Sequence, residues 1–275
     1  MTLDRPWPYP QWIAHRGAGL SAPENTLKAI QMGVTMGFRM FECDVRLSKE
    51  GVPYLMHDDL LLRTTGQPHA SNALTWPELQ RLDAGSWHSS AFSDTPIPSL
   101  AQVMEFCTQS QPEALVNFEI KPNLGESAST GRAVANAVQA HWRAQTDRHR
   151  QDQPPEDHPL RTHPLLSSFD LKALSAAQDA APELPRALLL AQADPNWIVN
   201  AQNLGCCAIV GHSSMWTKLR AHEALQAGLA CVSYTVNEPE VAQQLMDWGI
   251  QSLITDRMDV FSRNSAHQPL NASGG

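Results

Sequence analysis

The sequence predicts a closed (β/α)8 barrel, and three observations lead to this prediction. Short apolar runs alternate with longer amphipathic segments from the start of the chain to its end, which is the pattern of repeated βα units. About eight such units fit into 275 residues, a number that favours a closed barrel over an open doubly wound sheet. The glycine fingerprint of a Rossmann domain is absent, since the segment from His15 to Gly19 lacks the third glycine of GxGxxG.

Nine short runs with apolar, branched and aromatic residues predict the strands. In chain order they are Trp12 to Ala14, Arg39 to Val45, Val52 to Met56, Ala114 to Ile120, Leu165 to Ser168, Ala187 to Leu190, Cys206 to Val210, Ala230 to Val236 and Ser252 to Thr255. The turn Lys49-Glu50-Gly51 joins the second strand to the third.

Amphipathic segments between these strands predict the helices. The first helix is capped by Ser21 or a neighbouring residue and ends at about Gly37. The others are expected at Ser127 to Ala144, Leu171 to Asp179, Asn196 to Gln202, Met215 to Ala227 and Pro239 to Trp248.

Two stretches interrupt the alternation. Asp59 to Ser99 follows a strand end and predicts an inserted lobe, and insertions at the strand ends of a barrel usually cover the active site. Gln145 to Pro164 is rich in polar residues and proline, which predicts an exposed loop. We therefore predict one barrel domain over residues 1–261, with the lobe at about 59–99, the polar loop at about 145–164 and a flexible tail over 262–275.

Composition and charge limit the partners of the chain. It is 42% hydrophobic and 17% charged, as in ordinary globular proteins, and its formal net charge of -8 argues against a nucleic-acid-binding surface. We find no apolar run long enough to span a bilayer, and Met1 to Trp12 lacks the apolar core of a secretory signal. The five cysteines lack CxxC or metal-ligand spacing. We expect a cytoplasmic protein that does not insert into membranes, and the sequence leaves its oligomeric state open.

Two carboxylates lie near the end of the second predicted strand. Side-chain alternation along Phe41 to Val45 places Glu42 and Asp44 on one face and the apolar residues on the other. In a barrel strand, the apolar residues pack under the helices while both carboxylates point inward. Adjacent carboxylates repel each other unless a cation or a shared proton lies between them, so a metal ion is the simplest occupant.

The fourth predicted strand repeats this alternation. Glu119 and Lys121 share one face, and Phe118 and Ile120 share the opposite one. Glu119 would supply a third oxygen ligand, and Lys121 would place a positive charge beside it. A site made of oxygen ligands selects one hard divalent cation, Mg2+ or Ca2+ with Mn2+ as a further option, over zinc.

Two histidines follow the first and third predicted strands. His15 and His57 are each followed by a polar residue, Arg16 and Asp58. A lone histidine at such a place is more often structural than catalytic. A pair that converges on a carboxylate cluster, however, suits a base that activates a hydroxyl and an acid that protonates a leaving oxygen. Arg16 and Lys121 would bind the nonbridging oxygens of a phosphate, and the whole set points to phosphodiester cleavage.

Eight motifs between the first strand and the last resemble those of the glycerophosphodiester phosphodiesterase family, soluble bacterial type. They are HRGAGLSAPENTLKAI, FECDVRLSKEGVPYLMHDDLLLRTT, LDAGSW, IPSL, NFEIK, SSF, YTVNEP and GIQSLITDRMD. The resemblance covers nearly the whole chain, and the motifs are specific in combination. Two features depart from the family pattern: Tyr234, where the family usually has Trp in its WTVN motif, and the long polar loop.

The resemblance implies a (β/α)8 barrel with an inserted lobe at Asp59 to Ser99. The implied site residues are His15 and His57 for catalysis, Arg16 and Lys121 for the phosphate, and Glu42, Asp44 and Glu119 for the metal. One histidine would accept a proton from the nucleophile, which is water or, through a cyclic phosphate, the neighbouring glycerol hydroxyl. The other histidine would protonate the departing alcohol.

The reaction that the resemblance implies is metal-dependent hydrolysis of a small glycerophosphodiester to sn-glycerol 3-phosphate and an alcohol such as choline, ethanolamine or glycerol. Three alternatives remain. A phospholipase D-like activity on lysophospholipids needs a mouth that accepts an acyl chain, and a phosphatidylinositol phospholipase C-like lyase stops at the cyclic phosphate. A non-catalytic barrel that binds headgroups is the third, although mere binding needs neither a histidine pair nor three carboxylates.

Overall fold

Eight parallel strands close into a barrel in the computed structural model, which describes residues 7–110, 113–152 and 162–261. The strands are β1 Trp12–Ala14, β2 Met40–Leu47, β3 Pro53–Leu55, β4 Leu115–Ile120, β5 Leu165–Ser168, β6 Arg186–Leu190, β7 Ala208–His212, β8 Ala230–Tyr234 and β9 Ser252–Thr255. The barrel is closed because β1 pairs in parallel with both β2 and β9. β3 lies outside the barrel and pairs antiparallel with the end of β2. The predicted (β/α)8 barrel is confirmed.

Most helices follow the barrel strands and cover the outside of the sheet, and the two short helices between residues 62 and 79 lie in the inserted lobe. In chain order they are α1 Leu27–Thr35, α2 Leu62–Thr65, α3 Trp76–Leu79, α4 Leu100–Gln109, α5 Ser127–Asp152, α6 Leu171–Ala180, α7 Trp197–Asn203, α8 Lys218–Gln226, α9 Pro239–Asp247 and α10 Met258–Phe261. None of the helices in the described part of the chain combines the length and the apolar character that a membrane span needs.

Helix α1 begins later than predicted. Its N-cap is Thr26, whose side chain accepts a hydrogen bond from the Ala29 amide, and not Ser21. The residues from Gly19 to Ser21 instead form a single 3-10 turn. Asn25 adopts a positive φ of 57°, so the backbone directly before the cap is not helical.

The predicted loop at 145–164 is wrong at its start. Helix α5 runs to Asp152, past the predicted end at Ala144. Polar residues such as Gln and Arg are good helix formers, and the first proline comes only after the helix has ended, so polarity alone was a poor guide. Residues 153–161 of the predicted loop and the predicted tail at 262–275 lie outside the described residues. The division into one domain over 1–261 stays a prediction.

The alternation along β2 and β4 positions the site. Phe41, Cys43 and Val45 are fully buried in the core between the sheet and its helices, together with Phe118 and Ile120. The residues between them therefore point to the barrel interior, as predicted. A second core of small and branched residues fills that interior below the strand ends.

The lobe at 59–99 packs on β3 through a small core of its own. Its members are Tyr54, Met56, Leu61, Leu79, Ala84 and Ile97. The Tyr54 hydroxyl donates a 2.6 Å hydrogen bond to the carbonyl oxygen of Ser71, which ties the lobe to this strand. The lobe is therefore a packed unit that follows directly on His57.

The contact between α5 and α6 gives a test of the packing. A Cβ on Gly131 would overlap the carbonyl oxygen of Ala173, so this glycine lets the two helices approach closely. We expect Gly131→Ala to lower the free energy of unfolding by about 1–3 kcal/mol, although alanine favours an isolated helix by about 1 kcal/mol. Urea unfolding measures the change. The control is Ala140→Gly on the exposed face of the same helix, which should cost only about 1 kcal/mol. A Gly131→Ala protein as stable as the wild type would contradict the close contact.

Candidate functional site

Three acidic side chains converge at the carboxyl end of the barrel. Glu42 and Asp44 project from β2, and Glu119 projects from the neighbouring strand β4, whose register places it beside Asp44. One oxygen from each carboxylate lies within 4.8 Å of the others. Glu42 and Asp44 are buried, and the Glu119 side chain is only 12% exposed. Three oxygen donors at this spacing could hold a hard divalent cation.

The charges of these carboxylates are poorly balanced by the protein. Burial and the charge of Asp44 raise the pKa of Glu42 to about 8 and the pKa of Glu119 to about 7. Among the described residues, the buried Oε1 atom of Glu42 has no hydrogen-bond partner. A divalent cation would satisfy this oxygen and remove the repulsion, so the donor set fits a bound metal ion.

Asp44 differs from its two acidic neighbours because polar groups surround it. Burial alone would raise its pKa, but the charges of Arg16 and Lys121 outweigh burial and lower it. Asn25 contributes a hydrogen bond of 2.8 Å from Nδ2 to Asp44 Oδ2, and its Oδ1 accepts from the Asp44 amide at 3.0 Å. Lys121 Nζ lies 3.0 Å from Glu119 Oε1 and 3.7 Å from Asp44 Oδ1. Asp44 is therefore the carboxylate that stays ionised.

His15 follows β1 and is held between two acids. Its Nδ1 lies 2.6 Å from Asp256 Oδ1, and its Nε2 lies 3.7 Å from Glu42 Oε2. Burial alone would lower the pKa of His15, but the hydrogen bond to Asp256 and the charge of Glu42 outweigh burial and raise it. Asp256 follows β9 and accepts a hydrogen bond of 3.1 Å from Asn237 Nδ2.

His57 follows β3 and has a different environment. Its Nδ1 lies 2.7 Å from Asp58 Oδ1, and its carbonyl oxygen accepts a 2.9 Å hydrogen bond from Arg46 Nη2. Burial and the charges of Arg16 and Lys121 lower the pKa of His57, against the opposing influence of Asp44 and Asp58. His57 lines a small pocket with Glu24 and Asn25, the residues that bond to Arg16 and Asp44. The two histidines thus have pKa shifts in opposite directions.

Arg16 lies in a strained turn between β1 and α1. Its φ is 51°, which is uncommon for a residue other than glycine. Its amide nitrogen lies 3.3 Å from Glu42 Oε2, its Nη1 donates to Glu24 Oε1 at 2.9 Å, and its Nε lies 3.5 Å from Asp44 Oδ2. At the following position, a Cβ on Gly17 would lie 2.8 Å from the Ala29 Cβ. Only glycine fits at position 17. The tight turn that this glycine permits holds Arg16 close to the carboxylates.

One wall of the site is aromatic. Tyr234, which ends β8, lines one pocket together with His15, Glu42 and Glu119. Phe169 lies edge-on to Tyr234, with ring centroids 6.0 Å apart. The departure from the family pattern at position 234 therefore lies in the same pocket as these three site residues.

The structure brings all seven predicted site residues to one end of the barrel, and their roles stay predictions. Sequence reasoning missed Glu24, Asn25 and Asp256, which are polar partners of these residues, and it missed Arg63 and Asn237, which bond to those partners. One signal was available, since Asp256 directly follows the last predicted strand in the same way that His15 follows the first. The others lie in loops and in the lobe, where no alternation marks them.

Comparisons with known proteins agree with this geometry. The sequence profile of the glycerophosphoryl diester phosphodiesterase family matches residues 15–260. The putative glycerophosphodiester phosphodiesterase YhdW of Bacillus subtilis is 26% identical over 264 residues, which are 93% of this chain and 98% of that protein. A phosphodiesterase from Oleispira antarctica, solved in complex with the product sn-glycerol-3-phosphate, is 31% identical with a TM-score of 0.79, and the match covers 90% of this chain and 93% of that chain.

The crowded carboxylates predict that protons compete with the metal ion. Glu42 and Glu119 have raised pKa values and take up protons in the metal-free protein as the pH falls, whereas a cation needs them ionised. The affinity for Mn2+ should therefore rise between about pH 6 and pH 8, with release of protons on binding. Calorimetric titrations in two buffers of different ionisation enthalpy measure both effects, with Glu42→Gln as the variant that weakens them. An affinity independent of pH without proton release would contradict this account.

Proposed function

The chain belongs to the glycerophosphoryl diester phosphodiesterase family, and on this premise we propose that it hydrolyses glycerophosphodiesters to sn-glycerol 3-phosphate and an alcohol. The observation that carries the proposal is the convergence of three carboxylates, two histidines and two cationic side chains at one end of the barrel. The relative from Oleispira antarctica, which was solved with sn-glycerol-3-phosphate as its product, supports the choice of product.

Glu42, Asp44 and Glu119 would hold one divalent cation, with Mg2+ or Ca2+ as the expected ion and Mn2+ as a further option. When bound, the cation supplies positive charge that polarises the phosphate. The protein provides the rest of the site: it excludes water behind the carboxylates and fixes Asp44 through Asn25.

Arg16 and Lys121 would bind the nonbridging oxygens of the phosphate. Both cationic groups already point at the carboxylate cluster, where Arg16 Nε lies 3.5 Å and Lys121 Nζ lies 3.7 Å from the Asp44 carboxylate. Among the described residues, the buried Nε of Arg16 has no hydrogen-bond partner. A phosphate oxygen would satisfy this donor, which is the form of recognition that guanidinium groups favour.

His15 and His57 would exchange protons with the substrate. Each ring uses Nδ1 for a carboxylate, Asp256 for His15 and Asp58 for His57, so each presents Nε2 to the site. One ring would accept the proton of the nucleophile, which is water or the neighbouring glycerol hydroxyl, and the other would protonate the departing alcohol oxygen. Choline, ethanolamine and glycerol are the alcohols that we propose as leaving groups.

Substitution of the histidines tests this assignment. His15→Ala and His57→Ala should each lower kcat on glycerophosphocholine by about a hundredfold or more, because each removes a proton-transfer group. A glycerol 3-phosphate dehydrogenase-coupled assay with and without chelator measures the rate. His222→Ala is the control, since His222 is exposed on α8. Near wild-type turnover in both variants would rule out the histidine roles, and a wild type inactive on every glycerophosphodiester would rule out the proposed function.

Product analysis in the same assay separates the alternatives. A phospholipase C-like lyase would accumulate a cyclic phosphate, and a phospholipase D-like enzyme would prefer lysophospholipid over glycerophosphocholine. Hydrolysis that gives linear sn-glycerol 3-phosphate and a free alcohol as the final products is the result that we expect.

A further inference from the structure

Arg63 lies on α2 in the lobe and binds two carboxylates at once. Its Nε donates to Asp58 Oδ2 at 2.7 Å, and its Nη2 donates to Asp58 Oδ1 at 3.0 Å. On its other edge, Nη1 and Nη2 each lie 2.7 Å from an oxygen of Glu24. A planar guanidinium that engages both acids with two bonds each fixes their positions relative to one another.

Each of these two carboxylates also bonds to a predicted site residue and so restrains its position. Asp58 Oδ1 lies 2.7 Å from His57 Nδ1, and Glu24 Oε1 accepts from Arg16 Nη1 at 2.9 Å. A continuous series of hydrogen bonds therefore runs from Arg16 through Glu24, Arg63 and Asp58 to His57. It joins the segment after β1 to the segment after β3.

A second part of the lobe covers the guanidinium. The ring of Trp87 lies 5.5 Å from Arg63 Cζ, at cation–π distance. Its Nε1 donates to the Ala84 carbonyl oxygen at 2.8 Å, which fixes the ring. The backbone there is also constrained, because Asp83 Oδ1 accepts from the Gly85 amide at 2.8 Å. Arg63 is thus held by Trp87 as well as by the two carboxylates.

Arg63 stabilises the ionised form of Asp58 and holds its carboxylate in place through two hydrogen bonds. The hydrogen bond from Arg63 holds the pKa of Asp58 well below its usual range, against the influence of burial and with further help from His57. An ionised Asp58 accepts a hydrogen bond from the Nδ1–H of His57 and has no proton to donate. The neutral His57 ring therefore keeps its proton on Nδ1, and Nε2 is left free for the substrate.

We propose that Arg63 is a positioning residue, which fixes the ring of His57 through Asp58 and the guanidinium of Arg16 through Glu24. The lobe then supplies a part of the active site. This role rests on the proposed function in one respect, which is that His57 and Arg16 act on a phosphodiester.

Kinetics of a double-mutant cycle test the role. Arg63→Met should lower kcat about ten- to a hundredfold through His57 and raise KM through Arg16. Asp58→Asn should lower kcat alone. If both act on the same ring, the double variant should have a kcat within about twofold of the slower single variant, while it keeps the raised KM. Arg63→Lys should recover only part of the loss, because an ammonium cannot engage both carboxylates with two bonds each.

The matched control is Arg143→Met. Arg143 lies on α5 and forms an ion pair with Glu183, so this variant also removes an arginine–carboxylate pair. It should leave kcat and KM unchanged. Kinetic constants of Arg63→Met within twofold of the wild type would overturn the proposal, and so would independent, multiplicative losses of kcat in the double variant.

Histidine NMR gives a readout that needs no turnover. In protein with 15N-labelled histidine, the His57 signals, assigned with His57→Gln, should show a proton on Nδ1 in the wild type and a mixture of tautomers in Arg63→Met. The signals of His15 should not change, because its partner Asp256 has no bond to Arg63. An unchanged His57 tautomer would overturn the positioning role. A wild type that cleaves no glycerophosphodiester would contradict the proposed function alone, and the NMR result would still decide the role of Arg63.

Discussion

Mutual repulsion of three carboxylates at the ends of two adjacent strands is the constraint on which the rest of the site depends. Burial and the charge of Asp44 raise the pKa values of Glu42 and Glu119, so the protein alone does not keep all three ionised. Two features offset this repulsion in part: Arg16 and Lys121 are placed beside Asp44, and Asn25 hydrogen-bonds to it. The remaining imbalance is the charge that a divalent cation would neutralise.

The two histidines are held in place by different parts of the structure. His15 is anchored within the barrel itself, because its partner Asp256 follows β9, which pairs with β1. His57 follows the short antiparallel strand β3 outside the barrel, so its position depends on Arg46 below it and on the lobe beside it. The His15 ring is therefore held by a residue that follows a barrel strand, and the His57 ring is held by the hydrogen bonds that run through Asp58 to Arg63.

Alternation along strands made the central residues predictable. A period of two placed Glu42, Asp44, Glu119 and Lys121 on inward faces without knowledge of the fold, and the barrel then brought them together. Loop geometry was not predictable in this way. Asn25 bonds to Asp44 from a loop position with a positive φ, and Arg63 bonds to two carboxylates that are distant from each other in sequence. Such contacts depend on tertiary packing. The error at helix α5 was of a different kind. A loop was predicted from residue 145, but this polar segment continues the helix to Asp152.

The proposed chemistry requires that Glu42, Asp44 and Glu119 hold one divalent cation at the mouth of the barrel. Anomalous diffraction from crystals grown with Mn2+ tests it most directly. We expect a single strong anomalous peak at about 2.0–2.3 Å from one oxygen of each carboxylate, with loss of the peak in Glu119→Gln crystals. A peak elsewhere on the molecule, with none among the three carboxylates, would contradict the account.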